Sequence, residues 1–153
     1  DPVEFKREQA MAFGATHTFT SMDDAFSGVQ DLTWGRMAEK VVMTMGVGDG
    51  ALLYQALRLT AKRGRVVITN IHPTIERTAS ISLVDLTSME KQIVGSLFGS
   101  GNPRYDIPKL LDLYREGRLD LEGLVTRTYP LEGVNEGYQD MRDGRNLRGV
   151  LVY

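Results

Sequence analysis

The chain has 153 residues, 42% hydrophobic and 25% charged, a globular composition long enough to bury a core. Its 18 Lys+Arg and 20 Asp+Glu are interspersed and leave a formal charge of -2, which excludes a basic nucleic-acid face and a charged tail. The absence of cysteine excludes disulfides, thiolate catalysis and cysteine zinc ligands, and no apolar run reaches the roughly 18 residues of a spanning helix.

The opening Asp1-Pro2-Val3-Glu4 has no initiator Met and no signal-peptide pattern. It reads as the interior of a longer chain, and the composition fits a cytoplasmic protein. It is also a helix start, with a capping acid, a proline in the first turn and Glu4 three residues on. That helix is expected to reach Phe13, with Gly14 ending it. His17–Thr20 is a strand candidate and Asp23–Leu32 a helix. Lys40–Met45 is a β-branched and apolar strand.

Gly46–Gly50 is a glycine-rich turn, and a helix is expected from Ala51 to Arg63, stopped by Gly64. Arg65–Ile71 is a nearly continuous apolar strand, as in a parallel sheet covered on both faces. Strand, helix and strand with short loops form a βαβ unit. Ala79–Leu83 alternates, and Ile93–Phe98 is a strand before a loose turn. Asp106–Glu116 is a helix with Ile107, Leu110, Leu111 and Tyr114 inward. Val125–Tyr129 is a strand. Leu131, Val134, Tyr138 and Met141 mark the inward stripe of a short amphipathic helix, and Arg148–Tyr153 is a closing strand. Any boundary is expected near Leu97–Asn102.

Gly46-Val47-Gly48-Asp49-Gly50-Ala51 matches G-x-G-x-x-G/A between a strand and a helix. It could rest a dinucleotide pyrophosphate on the helix N-terminus. Asp49 would set a carboxylate beside those phosphates, and the following strand ends in Thr69-Asn70 rather than in a ribose-binding acid. The reading as a plain tight turn is therefore favoured. Asp1 is first a helix cap and Lys6 a helix-surface lysine. His17 and His72 share no metal-ligand spacing, and no serine sits in G-x-S-x-G. Arg148 has a structural salt bridge as its default role, with bidentate phosphate binding as the functional alternative.

Several segments together resemble the medium-chain zinc alcohol dehydrogenases. They are Asp1 with Lys6 and Ala12-Phe13-Gly14-Ala15-Thr16-His17; Gly64–Ile68 with Asn70; Ile93–Gly99; Asp106–Gly117; and Asn135-Glu136-Gly137-Tyr138 with Met141, Gly144 and Arg148. Their order holds over essentially the whole chain. Within that family the chain is similar to the NDMA-dependent, or nicotinoprotein, branch, which resembles class III enzymes and keeps its NAD tightly bound.

The resemblance implies an α/β fold: the later part of a Rossmann-type NAD-binding domain over residues 1–97, then the tail of a GroES-like catalytic domain over 98–153. The sheet would be incomplete, because the first two strands and the phosphate loop lie upstream. Such a segment is expected to be poorly stable alone or to pair with another copy. The resemblance also implies roles. Asp1 and Lys6 would lie at the adenosine ribose, and Met45 and Val47 along the cofactor. Thr69, Asn70 and Ile71 would pass the nicotinamide, Leu97 and Phe98 its ribose and carboxamide, and Arg148 the pyrophosphate. Strands near Ile81–Leu83 and Ile93–Leu97 would form the edge of a homodimer or higher oligomer. The parent would oxidise an alcohol to an aldehyde or ketone by hydride transfer to NAD, with zinc polarising the alkoxide. No catalytic or zinc-binding residue falls in this chain, which alone is expected to be inactive. Two alternatives are a stand-alone βαβ nucleotide-binding or dimerisation module built on Gly46–Ala51, and an inert truncated fragment.

Overall fold

A computed structural model describes residues 1–153 as two compact units, residues 19–100 and residues 1–18 with 101–153. In chain order the elements are α1 (Glu4–Ala12), α2 (Met22–Leu32), β1 (Ala38–Met43), α3 (Ala51–Leu59), β2 (Thr60–Ile68), α4 (Leu83–Ser88), β3 (Gln92–Gly95), α5 (Pro103–Arg115), β4 (Val125–Pro130), α6 (Val134–Arg142) and β5 (Arg148–Val152).

In residues 19–100 the strands form one parallel sheet in the order β1-β2-β3. The register sets Met43 against Ile68 and Ile68 against Gly95, so all three strands end at the same sheet margin. Met43, Ala56, Leu57 and Val66 form the buried core, with Val41, Leu52, Leu53, Ile68, Leu86 and Ile93 packed around it. α2 is capped by Ser21, whose hydroxyl accepts from the Asp24 amide. Hydrogen bonds from the Thr20 and Ser21 hydroxyls hold the Asp24 carboxyl below its usual range.

Five expectations are corrected here. His17–Thr20 is not a strand; residues 17–19 are coil leading to a bend at Thr20. The helix expected to reach Arg63 ends at Leu59. There Thr60 turns extended, its hydroxyl donates to the Ala56 carbonyl, and the Lys91 ammonium caps the Leu57 carbonyl at 2.8 Å. Burial lowers the Lys91 pKa. Gly64 therefore lies inside β2 rather than stopping a helix, and a Cβ there would come within 2.9 Å of the Glu39 carbonyl oxygen. The segment Ile81–Leu83 is not a strand either, because Ser82 caps α4 and Leu83 is its first residue. Finally, β3 stops at Gly95 and not at Phe98, as the chain turns through positive φ at Phe98, Gly99 and Ser100.

In the other unit α5 is capped reciprocally. The Asn102 side chain accepts from the Arg104 amide and Asp106 accepts from the Asn102 amide, with Pro103 in the first turn. β4 and β5 pair in parallel, with Tyr129 opposite Leu151. The expected inward stripes are not covered. Ile107, Leu110, Leu111 and Tyr114 of α5 are exposed, as are Tyr138 and Met141 of α6, whose one buried residue is Asp140.

Candidate functional site

Residues Met45, Val47, Thr69, Asn70, Ile71, Leu97 and Phe98 gather just beyond the carboxyl ends of β1, β2 and β3. Open parallel sheets bind ligands at that margin. Thr69 is fixed by two bonds to the Met43 carbonyl, from its amide at 3.2 Å and its hydroxyl at 2.8 Å. Ile71 and Val47 form a parallel bridge, and the Gly48 amide donates to the Ile71 carbonyl. The result is an apolar rim in which Val47 is 72% exposed, Ile71 74%, Leu97 71% and Phe98 90%. Set into it is Asn70, whose side-chain oxygen and nitrogen are both shielded and both without a hydrogen-bond partner. Native proteins rarely leave such an amide unpaired. Asn70 and His72 both lie over Gly48, where a Cβ would come 2.3 Å from Asn70 Nδ2.

The glycine turn beside this rim has two of its amide donors already taken. At the start of α3 the Gly50 amide donates to the Glu76 carboxylate at 2.8 Å, and the Ala51 amide donates to Asp49 at 2.8 Å. Two carboxylates thus take the donors a phosphate would need. Gly50 is required by crowding, since a Cβ would lie 2.8 Å from the Thr78 carbonyl oxygen. Glu76 is 26 residues from its partner, so no local spacing marks it.

In the other unit, Asp1 does not directly cap α1. Val3 holds the cap position, and the Asp1 carboxylate accepts from the Val3 amide. Lys6 runs beside Gly144, whose φ of +69° closes the turn after α6. Arg148 opens β5, exposed, and its guanidinium forms none of the ion pairs in this unit. Just before it lies a buried polar cluster that the helical pattern did not reveal. The Asp140 carboxylate accepts from Arg127 at 2.6 Å and from the Tyr129 hydroxyl at 2.8 Å, and Asn146 donates to that hydroxyl. No three His, Cys, Asp or Glu side chains converge to hold a metal ion, so the residues present do not fit a zinc site.

The zinc-binding dehydrogenase family model matches residues 1–116. The chain belongs to this family. It is 47% identical over all 153 residues to alcohol dehydrogenase B of Mycobacterium tuberculosis, and 48% identical to the NDMA-dependent alcohol dehydrogenase of Amycolatopsis methanolica. In each case the match covers the whole chain and 41% of the relative, so the chain spans about two fifths of their length. The crystal structure of benzyl alcohol dehydrogenase from Acinetobacter calcoaceticus superposes with a TM-score of 0.88 at 27% identity, over 99% of this chain and 41% of that one. The chain corresponds to the C-terminal part of a zinc-type medium-chain dehydrogenase, and the parallel α/β architecture expected from the sequence is the one found. No helix is long and apolar enough to cross a membrane.

Proposed function

We propose that these residues form one wall of the cofactor cleft of an NAD-dependent alcohol dehydrogenase that converts an alcohol to an aldehyde or ketone. The observation that carries this reading is the apolar rim at the carboxyl ends of the strands, with the unpartnered Asn70 amide set into it. A nicotinamide ring needs apolar faces and a polar partner for its carboxamide. Val47, Ile71, Leu97 and Phe98 offer the first, and Thr69 and Asn70 the second, while Met45 packs against the sheet core. When bound, NAD supplies the hydride acceptor. The chain's own residues orient the ring and keep water from it.

On this reading residues 1–97 belong to the cofactor domain and residues 98–153 to the catalytic domain. Asp1 and Lys6 serve the adenosine ribose, where the Asp1 carboxylate would repel a 2′-phosphate, and Arg148 serves the pyrophosphate. The zinc ligands and phosphate loop come from residues outside this chain, so the chain alone does not turn over substrate. The exposed stripes of α5 and α6 are the faces those residues would cover. A second copy would meet the free edge of β3, with the coil before α4 beside it. The compartment proposed is the cytoplasm. The enclosed α3 N-terminus speaks against a stand-alone nucleotide module built on Gly46–Ala51.

NADH titration of the complete subunit carrying these residues tests the reading. Phe98→Ala and Asn70→Ala should each weaken binding about tenfold, the loss of one good apolar or polar contact. Unchanged affinity in both variants would overturn it.

A further inference from the structure

The buried cluster below Arg148 is more elaborate than a small two-stranded sheet needs. Asp140 is 2% exposed and sits on α6 facing β4. Its Oδ2 accepts from Arg127 Nη1 and the Tyr129 hydroxyl, and its Oδ1 from Arg145 Nη1 at 3.5 Å. Its backbone carbonyl accepts from the Arg145 amide at 2.8 Å. Asn146, 5% exposed, donates to the Tyr129 hydroxyl at 3.1 Å. The Leu147 amide donates to the Thr126 hydroxyl at 2.9 Å. On the far side Gly149 lies against the Tyr129 ring, where a Cβ would approach Cε2 within 2.8 Å.

Every residue flanking Arg148 is thus fixed, from Arg145 to Leu147 by hydrogen bonds and Gly149 by close packing. Arg148 itself is exposed and makes no ion pair, although two carboxylates, Asp140 and Asp143, stand close enough to pair with Arg145. A buried ionic cluster is a weak source of net stability, but it is directional and fixes register. We infer that Asp140 is a positioning residue: through Tyr129 and Asn146 it sets the start of β5, and with it the backbone position from which Arg148 reaches a phosphate-bearing ligand. An arginine on a backbone held this way loses less backbone freedom when it binds.

The inference rests on the proposed role of Arg148 at the pyrophosphate. It is tested by a double-mutant cycle on NAD affinity in the complete subunit. Arg148→Ala alone should weaken NAD by about tenfold or more, and Asp140→Asn alone by about tenfold, within the coupling range of residues in one network. In the Arg148→Ala background, Asp140→Asn should add nothing. Equal weakening by Asp140→Asn in both backgrounds would mean a merely structural role and would overturn the inference while leaving the cofactor reading intact. Unchanged affinity in Arg148→Ala would overturn the Arg148 role itself, and this inference with it. Should Asp140→Asn fail to fold, Tyr129→Phe supplies the same cycle. It removes the hydroxyl that bridges Asp140 to Asn146 and keeps the ring packed on Gly149; the expected weakening is about threefold, again only when Arg148 is present.

Discussion

Residues 19–100 bury Met43, Ala56, Leu57 and Val66 against a parallel sheet, whereas residues 101–153 bury Asp140, Asn146 and Tyr129 between one helix and two short strands. The first kind of burial is non-directional and scales with apolar area. The second is directional and holds only while every donor and acceptor stays paired. The sheet unit therefore owes its persistence to packing, and the C-terminal unit owes its register to a polar cluster.

The most damaging change to this comparison is a cavity under the sheet. Leu57 is 1% exposed and fills the space between α3 and the strands. Leu57→Ala should remove about 3 kcal/mol, a large share of a domain's stability. Residue-resolved hydrogen exchange should show the β1, β2 and β3 amides opening while those of Arg145 and Leu147 keep their protection. Equal loss in both units would show that the two do not hold themselves separately.

Next in size is Tyr129→Phe, which leaves Asn146 Nδ2 without an acceptor and takes one donor from Asp140. The expected loss is about 1 kcal/mol. It should appear at the Arg145 and Leu147 amides, with the sheet amides unmoved.

The pH response separates the units further. The Asp140 carboxyl is held below its usual range first by the Tyr129 hydroxyl, then by Arg127 and Arg145, with burial opposing. A carboxyl depressed in the fold contributes stability that is present above the unfolded pKa of about 3.9 and lost as pH falls through the lower folded value. Protection at Arg145 and Leu147 should thus fade below about pH 4, and Asp140→Asn should flatten that dependence. A wild-type and a variant profile that fall together would assign the acid loss to other groups.

What the sequence made legible follows the same physics. Apolar and β-branched runs located β1 and β2, and apolar periodicity located α5, because these signals are local, whereas the caps Ser21 and Asn102 mark helix starts that the expected ranges missed. The end of α3 was misplaced because its stop is tertiary: Thr60 turns back on Ala56, and Lys91 reaches Leu57 from 34 residues away. The faces of α5 and α6 were assigned inward from periodicity, but nothing in these 153 residues covers them. At the candidate site the apolar residues could be placed by resemblance. Glu76 and the Asp140 cluster could not, because a lone acid carries no sequence sign that distant amides or hydroxyls will meet it.

The smallest effect is expected at the feature most conspicuous in the sequence. Gly46–Ala51 has the letters of a phosphate loop, but Asp49 already accepts from the Ala51 amide and Glu76 from the Gly50 amide. Asp49→Ala removes only a local cap, so a stability loss of about 0.5 to 1 kcal/mol is expected. NAD affinity of the complete subunit should stay within about twofold, since no cofactor charge is proposed to reach this helix end and a screened surface charge has little long-range effect. A gain in affinity would be the informative result. Removing a carboxylate strengthens anion binding only where an anion is already close, and that outcome would return the phosphates to the glycine turn.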